Sequence, residues 1–225
     1  MLLKTLLLLF LPLHLAASTL EIGALFRESK KGDWMVVVQN KNYTALHIVD
    51  KTPDSLIFDE MIIPEARVKQ PFPGWRGWIQ SEAPGRTSWV RYTLSLNPLK
   101  VTNRRSMTQQ KNLPPCTEES LFFQLTHLPF QPLPDRARRS ILNKEGKSVP
   151  WGPKLVVDGK LYPNVSFSAW VAQWPKDGSI LSGKELTIYL PETSPHYPSF
   201  FPTFTKVKGG VERASFRVVD SGRNL

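Results

Sequence analysis

Basic side chains are concentrated in the middle of the chain, where their charge could hold an anion. Five of them fall within twelve residues: Arg136, Arg138, Arg139, Lys144 and Lys147. Exposed cations at this density attract acidic surfaces through many weak contacts, which physiological salt screens beyond about 8 Å. The cluster predicts a binding site for an anionic lipid headgroup, a glycan or an acidic protein. An ordinary solvated loop and helix face is the alternative interpretation of the same charges.

Two pairs of tryptophans provide a second candidate for binding. Trp75 and Trp78 are three residues apart, which places them on one face of a short helical turn. Trp170 and Trp174 form a comparable pair later in the chain. Clustered tryptophans can form a stacking platform for sugars or bases. They more often close a small β domain, because one tryptophan buries about 150 to 250 Å².

Residues suited to catalysis are scattered along the sequence. Beyond the apolar N-terminal segment the histidines are His47, His127 and His196, and neither a G-x-S-x-G nor an H-E-x-x-H motif is present. His47 is predicted to line the core, because no second histidine or carboxylate lies at metal-ligand spacing beside it. The sequence therefore gives no catalytic residues, no metal site and no cofactor.

Carboxylate pairs for glycoside hydrolysis are equally undefined, because nothing in the spacing indicates which two carboxylates meet. The candidates are Asp59, Glu60, Asp158, Asp177 and Glu185. Of the adjacent pair Asp59 and Glu60, we expect one to be solvated on its strand and the other to pair with a lysine or arginine.

A near match to a phosphate-binding loop occurs at residues 178–185. The motif G-x-x-x-x-G-K-[ST] uses glycines to wrap phosphate, a lysine for the terminal phosphates and a hydroxyl for magnesium. Here Glu185 replaces the hydroxyl, and the segment that follows is typical of a strand rather than a helix. We therefore predict no nucleotide binding and interpret Asp177-Gly178 as a turn.

Strand-like segments form an N-terminal unit, residues 19–96, that would position the first tryptophan pair. Residues 33–39, 43–49 and 56–63 are rich in β-branched and aromatic residues and are separated by turn sequences, which predicts a three-stranded meander. Residues 87–96 form a further strand. Leu46 and Ile48 share one face of the second strand and Tyr43, Ala45 and His47 the other, so we expect both faces to be covered.

A proline-rich, basic segment, residues 97–150, is predicted to be a helical connector. Thr117 is a suitable N-cap, and Leu121, Phe122 and Leu125 follow at helical spacing. Residues 135–142 are a second, short helix candidate, and it would carry Arg136 and Arg139 outward. We expect the connector to pack on the sheets through the apolar face of its first helix.

Strands return in a C-terminal unit, residues 151–225. Asp158-Gly159 predicts a compact hairpin between residues 154–157 and 160–167, and two further strand-like segments follow. The predicted fold is mainly β, with α+β as the alternative. It consists of two small antiparallel β units, or one sandwich, with the connector between them.

The N-terminal segment indicates export. Lys4 provides a positive n-region, residues 6–15 form an apolar h-region, and Ala16 and Ser18 place small side chains before a cut. The sequence predicts a signal peptide at residues 1–18 and a mature chain that starts at Thr19. A retained membrane anchor is disfavoured because the apolar run is shorter than the roughly 20 residues that span a bilayer, so no transmembrane segment is expected after cleavage.

The cysteine count and the net charge limit the candidate compartments and partners. Cys116 is the only cysteine, which excludes an intrachain disulfide and favours a bacterial periplasm or outer envelope over a small eukaryotic secreted module. The formal net charge is +10 at pH 7. In an exported protein this charge favours acidic envelope components or acidic proteins over nucleic acid.

These patterns favour an exported, non-catalytic cell-envelope protein, periplasmic or secreted, that binds or scaffolds an anionic partner. The alternative is a cell-envelope hydrolase that acts on glycan or peptide. The two functions require different features of the structure. A hydrolase requires a cleft where histidines and carboxylates converge, whereas a binding protein requires a basic or aromatic surface without that convergence.

Overall fold

The computed structural model of the chain describes residues 19–114, 121–193, 196–208 and 215–225. The predicted signal peptide, the predicted N-cap Thr117 and Cys116 lie outside the described residues. None of the helices within the described ranges combines the length and the apolar character needed to cross a membrane.

Fifteen strands and three α-helices make up the described structure. The strands are β1 (Trp34–Gln39), β2 (Asn42–Lys51), β3 (Ser55–Pro64), β4 (Ser88–Leu96), β5 (Leu99–Ser106), β6 (Lys111–Asn112), β7 (Gln131–Pro132), β8 (Ser140–Leu142), β9 (Ser148–Pro150), β10 (Leu155–Val157), β11 (Lys160–Tyr162), β12 (Phe167–Gln173), β13 (Glu185–Pro191), β14 (Phe204–Val207) and β15 (Phe216–Gly222). The helices are α1 (Ile22–Glu28), α2 (Gly74–Gln80) and α3 (Leu121–His127).

Eleven of the strands form one antiparallel sheet in the order β6-β5-β4-β3-β2-β1-β15-β14-β13-β12-β7. The remaining strands form two separate hairpins, β8-β9 and β10-β11. The predicted mainly β fold is confirmed. Strands of the N-terminal and C-terminal segments meet where β1 pairs with β15, from Trp34 opposite Gly222 to Val38 opposite Arg217. The first and last strands of the chain therefore join the two ends into a continuous sheet.

The predicted N-terminal meander is present as β1, β2 and β3. Asn40 and Lys41 join β1 to β2 with φ angles of 48° and 61°, the left-handed conformation of a two-residue hairpin turn. As predicted, both faces of β2 are covered. Leu46 and Ile48 belong to a large apolar cluster that extends across the molecule, whereas Ala45 lies in a smaller cluster with Trp78 of α2.

The N-terminal segment is not composed of strands alone, because it begins with helix α1. Ile22 and Phe26, four residues apart, are fully buried in the large cluster. Gly23 lies between them, and a Cβ atom there would lie 2.9 Å from the carbonyl oxygen of Thr126 in α3. The two helices therefore pack closely. The i, i+4 apolar spacing that indicates α1 covers so few residues that the segment can be mistaken for a strand.

The connector contains the first predicted helix, α3, but not the second. Asp135–Ala137 is a single 3-10 turn, Arg138 is extended with φ −84° and ψ 155°, and β8 follows at once. The helix prediction for residues 135–142 was wrong because Arg138 bonds to carbonyl oxygens of neighbouring segments and β8 pairs with β9. Strands β5 to β9 account for much of the remaining connector.

The predicted hairpin at Asp158-Gly159 is present as β10-β11 and packs on the last strand. The backbone N–H of Asp158 donates to the carbonyl oxygen of Ser221 at 2.8 Å, and the N–H of Gly159 donates to the Asp220 carboxylate at 3.0 Å. The Ser221 hydroxyl donates to the carbonyl oxygen of Val156 at 2.9 Å. The hairpin is thus fixed to β15 at three points.

Candidate functional site

The basic residues identified in the sequence lie on and beside the hairpin β8-β9, which is separate from the main sheet. We refer to residues 135–150 as the basic hairpin. Ile141 is paired with Val149, and Leu142 with Ser148. At the tip the Asn143 side-chain oxygen accepts hydrogen bonds from the backbone N–H groups of Glu145 and Lys147, at 3.0 and 2.9 Å. The turn is therefore closed by its own side chain.

Arg138 anchors the basic hairpin to the body of the protein. Its guanidinium donates to the Asp135 carboxylate at 2.6 Å, to the carbonyl oxygen of Phe167 at 2.7 Å and to that of Trp151 at 3.1 Å. It also lies 5.7 Å from the centre of the Tyr189 ring, and its side chain is only 5% exposed. Arg138 therefore serves the fold, and its charge is unavailable to a partner.

The other four predicted binding residues are exposed: Arg136, Arg139, Lys144 and Lys147. The Lys147 ammonium lies 3.1 Å from the Glu145 carboxylate, but both side chains are about two-thirds exposed or more, so this ion pair is weak. The Arg139 guanidinium lies 6.0 Å from the centre of the Trp151 ring. Four cations thus face solvent, and we call them the hairpin cations.

Two exposed aliphatic side chains lie between the hairpin cations in the sequence. Ile141 is 42% exposed and Leu142 is 73% exposed. They are adjacent on β8, and successive side chains of a strand point to opposite faces. The hairpin therefore carries an exposed aliphatic group on each face.

The four tryptophans do not form an exposed platform. Trp78 and Trp174 are buried, and their indole N–H groups donate to the carbonyl oxygen of Pro84 and to the Asp177 carboxylate, both at 3.0 Å. Trp75 is half-buried, with its ring 4.7 Å from Tyr43 and 5.6 Å from Trp78. The first pair packs on the face of β1 to β3 that carries Val36, Ala45 and Met61, which agrees with the buried plug.

A second candidate site lies under α2, where a row of polar side chains crosses three strands. His47 on β2, Asp59 on β3 and Arg91 on β4 lie directly opposite one another. The Arg91 guanidinium donates two hydrogen bonds to the Asp59 carboxylate, at 2.7 and 2.8 Å. These residues line a cavity of about 280 Å³ together with Gln80 and Glu82, and we call it the His47 cleft.

The environment of the His47 cleft favours the neutral form of the imidazole. Burial lowers the pKa of His47, and the nearby Arg91 adds to that effect, while the Asp59 carboxylate opposes it. The hydrogen bonds to Asp59 raise the pKa of Arg91. Of the described residues that line the cleft, none is Ser, Thr or Cys. The cleft therefore offers an imidazole base but no hydroxyl or thiol nucleophile among its described lining residues.

A larger open cavity of about 770 Å³ also carries cations, and we call it the Lys51 cleft. Lys51 is committed to the fold, because its ammonium donates to the carbonyl oxygens of Arg27 and Ser29. The Arg27 guanidinium donates to the carbonyl oxygen of Leu96 at 3.1 Å. Lys30 and Lys31 remain exposed at its edge.

The loop that resembles a phosphate-binding motif uses its own N–H groups internally. The Ser182 hydroxyl accepts from the N–H groups of Asp177 and Gly178, at 3.1 and 3.2 Å, and the Asp177 carboxylate accepts from that of Ser179 at 2.9 Å. Strand β13, not a helix, follows. Within the described ranges no group of three His, Cys, Asp or Glu side chains is arranged to hold a metal ion.

Comparison with known proteins places the chain in a family. A profile of the CT021 protein family matches residues 44–163, more than half of the chain. The chain belongs to the CT021 protein family. The hypothetical protein CT021 from Chlamydia trachomatis has a solved structure that is similar with a TM-score of 0.62, over 91% of this chain and 93% of that chain at 18% identity. That likeness shows a shared fold, and no curated protein matches the chain.

The region matched by the CT021 family profile contains the basic hairpin and the His47–Asp59–Arg91 row. It excludes the loop at residues 178–185 and the tryptophan pair Trp170 and Trp174. Both candidate sites therefore lie in the part of the chain by which membership of the CT021 family is established.

Sequence reasoning missed two features of this CT021-family protein. Ile141 and Leu142 lie between Arg139 and Lys144 in the sequence, but the wrong helix prediction hid their exposure. The partners of His47 are 12 and 44 residues away in the sequence. Only strand register brings them together, and no local spacing indicates it.

The remaining catalytic candidates are held elsewhere. Asp158 pairs with Arg76 at 2.7 Å, and Glu185 lies 3.4 Å from Lys208. Neither His127 nor His196 lines the His47 cleft. Asp59 is paired with an arginine as expected. Glu60 is only partly exposed: its carboxylate accepts from the Tyr92 hydroxyl at 2.8 Å, and burial raises its pKa.

Proposed function

We propose that this CT021-family protein is an exported, non-catalytic envelope protein that binds an anionic partner through the basic hairpin. The observation that carries the proposal is the exposure of four cations on a hairpin that offers them little internal compensation. Asp135 is paired with the anchored Arg138. The other acidic side chain of the hairpin is Glu145, which pairs with Lys147. The partner would be a lipid headgroup, a glycan or an acidic protein.

The hairpin is suited to this function because its shape exists before binding. Arg138 fixes its base and Asn143 closes its tip, so little conformational entropy is lost when a partner is bound. Exposed charges act through water and are screened by salt. Binding would therefore be broad in specificity and would fall steeply as ionic strength rises.

Two charge variants with equal loss of charge test the proposal. The hairpin-charge variant carries Arg136→Gln, Arg139→Gln, Lys144→Gln and Lys147→Gln. The lysine control carries Lys69→Gln, Lys100→Gln, Lys176→Gln and Lys206→Gln, all at exposed positions. We expect the hairpin-charge variant to elute from immobilised heparin at much lower salt than the lysine control. Equal losses would mean that only net charge matters, and the proposed site would be abandoned.

The Lys51 cleft is the rival location for an anion, and it can be tested separately. Lys30→Gln with Lys31→Gln removes two of its three exposed cations and leaves Arg27 and Lys51 bonded to the backbone. We expect this double variant to elute from heparin close to the wild type. If it loses more retention than the hairpin-charge variant, the anionic site lies in the Lys51 cleft instead.

Export itself is tested by mass. The predicted mature chain starts at Thr19, so protein recovered from a periplasmic or secreted fraction should lack residues 1–18. An intact mass that includes those residues would contradict cleavage at this position, and recovery only from the cytoplasm would contradict export.

Hydrolysis is the second candidate function, and the convergence of His47, Asp59 and Glu82 at one cleft favours it. A neutral His47 could activate a water molecule as a general base. Both Asp59 oxygens are bonded to Arg91, and the described lining contains no hydroxyl or thiol nucleophile, so we rank hydrolysis second. Turnover of a glycan or peptide by the wild type that His47→Gln abolishes, with the fold retained, would reverse this ranking.

A further inference from the structure

We propose that the anionic partner is the surface of a lipid bilayer, and that Ile141 and Leu142 enter its headgroup layer while the hairpin cations contact lipid phosphates. This inference rests on the proposed function and names the partner of the same site. It depends on the combination of exposed aliphatic groups and exposed cations on one small hairpin.

Exposure of a single aliphatic side chain carries no weight, because protein surfaces are more than half apolar. Among the described residues four large hydrophobic side chains are exposed: Ile141, Leu142, Leu161 and Ile180. Two of these four are adjacent in sequence, and the hairpin cations lie on both sides of them. Lysine and arginine around an exposed aliphatic group are typical of surfaces that bind anionic membranes.

Strand geometry favours a bilayer over a protein or a glycan. Ile141 and Leu142 point to opposite faces of β8, and their cross-strand partners are Val149 and Ser148. A flat partner would cover one face of the hairpin and leave the other aliphatic group in water. A headgroup layer surrounds an inserted hairpin on both faces, so it removes both groups from water at once.

The charged tip is compatible with shallow insertion. Leu142 is the last residue of β8, directly before the turn that contains Lys144 and Lys147. Lysine carries its ammonium on a flexible stem and can keep it at the phosphates while the aliphatic groups lie deeper. Each layer of headgroups is roughly 5 to 7 Å thick, about the depth of one or two residues of strand.

A matched pair of aliphatic variants tests the inference. The hairpin-aliphatic variant carries Ile141→Thr and Leu142→Thr, and threonine retains strand propensity. The aliphatic control carries Leu161→Thr and Ile180→Thr, which remove two comparably exposed groups elsewhere. The probes are vesicles of phosphatidylcholine alone, vesicles with about one-third phosphatidylglycerol, and immobilised heparin. Unfolding midpoints confirm that each variant is folded.

We expect the wild type and the aliphatic control to sediment with the anionic vesicles and not with the neutral ones. The hairpin-aliphatic variant should bind anionic vesicles about tenfold more weakly, the loss expected for partial burial of two aliphatic groups, with heparin retention unchanged. The hairpin-charge variant should lose both vesicle binding and heparin retention.

Other outcomes separate the two proposals. If the hairpin-aliphatic variant binds anionic vesicles like the wild type while the hairpin-charge variant does not, bilayer insertion is wrong and the anionic site stands. Retention on heparin without vesicle binding by the wild type would point to a glycan or acidic protein. If the hairpin-charge variant behaves like the lysine control on both probes, the proposed function itself fails.

Discussion

The basic hairpin and the His47 cleft use the same residue type in opposite ways. In the cleft, Arg91 bonds twice to an Asp59 carboxylate whose side chain is 4% exposed. On the hairpin, Arg136 and Arg139 are exposed, and neither is held by a carboxylate in the described structure. A basic residue in a sequence therefore indicates a binding surface only when the fold leaves its charge exposed and without a carboxylate partner.

The basic hairpin itself contains both kinds of arginine, because Arg138 is partnered whereas its neighbours are exposed. It lies between two exposed arginines in the sequence, yet it is buried and bonded to Asp135 and two carbonyl oxygens. It resembles Arg91 more than its neighbour Arg139. Substitutions that remove a partnered arginine should therefore cost stability, and those that remove an exposed one should not.

The largest expected effect is at Arg91. Arg91→Gln leaves a buried Asp59 carboxylate without its cation, which should lower the free energy of unfolding by about 3 kcal/mol. Arg105 is the matched control, since it lies opposite Arg91 on β5 and is exposed. Arg105→Gln should stay within about 0.5 kcal/mol. Urea unfolding measures the change in the free energy of unfolding for both variants. Equal changes would contradict the proposed difference between partnered and exposed arginines.

The next effect tests the same contrast inside the hairpin. Arg138→Gln removes bonds to Asp135, Phe167 and Trp151 and should cost about 2 kcal/mol, because two partly buried carbonyl oxygens lose a charged donor. Arg136→Gln should stay within about 0.5 kcal/mol. Urea unfolding compares the two variants, and a small cost at Arg138 would show that the hairpin is not anchored as the structure indicates.

A smaller effect concerns pH and the buried row. Because burial lowers the pKa of His47 below its usual 6.5, the unfolded chain takes up a proton at higher pH than the folded chain. The wild type should therefore lose stability relative to His47→Gln as pH falls from about 7.5 to about 5.5, the range around the ordinary histidine pKa. Urea unfolding of both proteins across this range provides the measurement.

Other buried acids have the opposite dependence, so only the difference between the two proteins is informative. Burial raises the pKa of Asp33, Glu60 and Asp220, and their contribution to stability falls as pH rises. The charged groups that shift the pKa of His47 are Asp59 and Arg91, and Glu82 also lines its cleft. If the wild type instead gains stability relative to the His47→Gln variant at low pH, the Asp59 carboxylate outweighs burial and protonated His47 is accommodated.

Local sequence patterns correctly predicted most of the strands, and they failed where tertiary contacts determine the secondary structure. The period-two pattern of residues 33–63 gives β1 to β3 and the two covered faces, because each strand is specified by its own sequence. Residues 135–142 have helical spacing of charges, yet Arg138 finds carbonyl acceptors on other segments and β8 finds β9. Helix α1 is missed because it is only seven residues long and depends on contacts with α3.

Site prediction failed for a related reason. The hairpin cations are close together in sequence, so their density is visible without a structure. The row of His47, Asp59 and Arg91 depends on the register of three strands, and a shift of one residue would turn Asp59 to the opposite face. The burial that lowers the pKa of His47 likewise depends on the packing of α2, which no local pattern gives.

The smallest expected effect is at Lys184, a second test of when a cation indicates a site. Its sequence context resembles a phosphate-binding loop, but the N–H groups that would wrap a phosphate already donate to Asp177 and Ser182. Lys184 is half-exposed at the entrance to β13, so Lys184→Ala should change the free energy of unfolding by no more than about 0.5 kcal/mol. Urea unfolding checks the stability, and calorimetry with nucleoside triphosphate and magnesium should give no signal for either protein. Magnesium-dependent nucleotide binding that Lys184→Ala abolishes would show that the loop opens its internal hydrogen bonds for a ligand, and local exposure alone would then no longer distinguish binding cations from the rest.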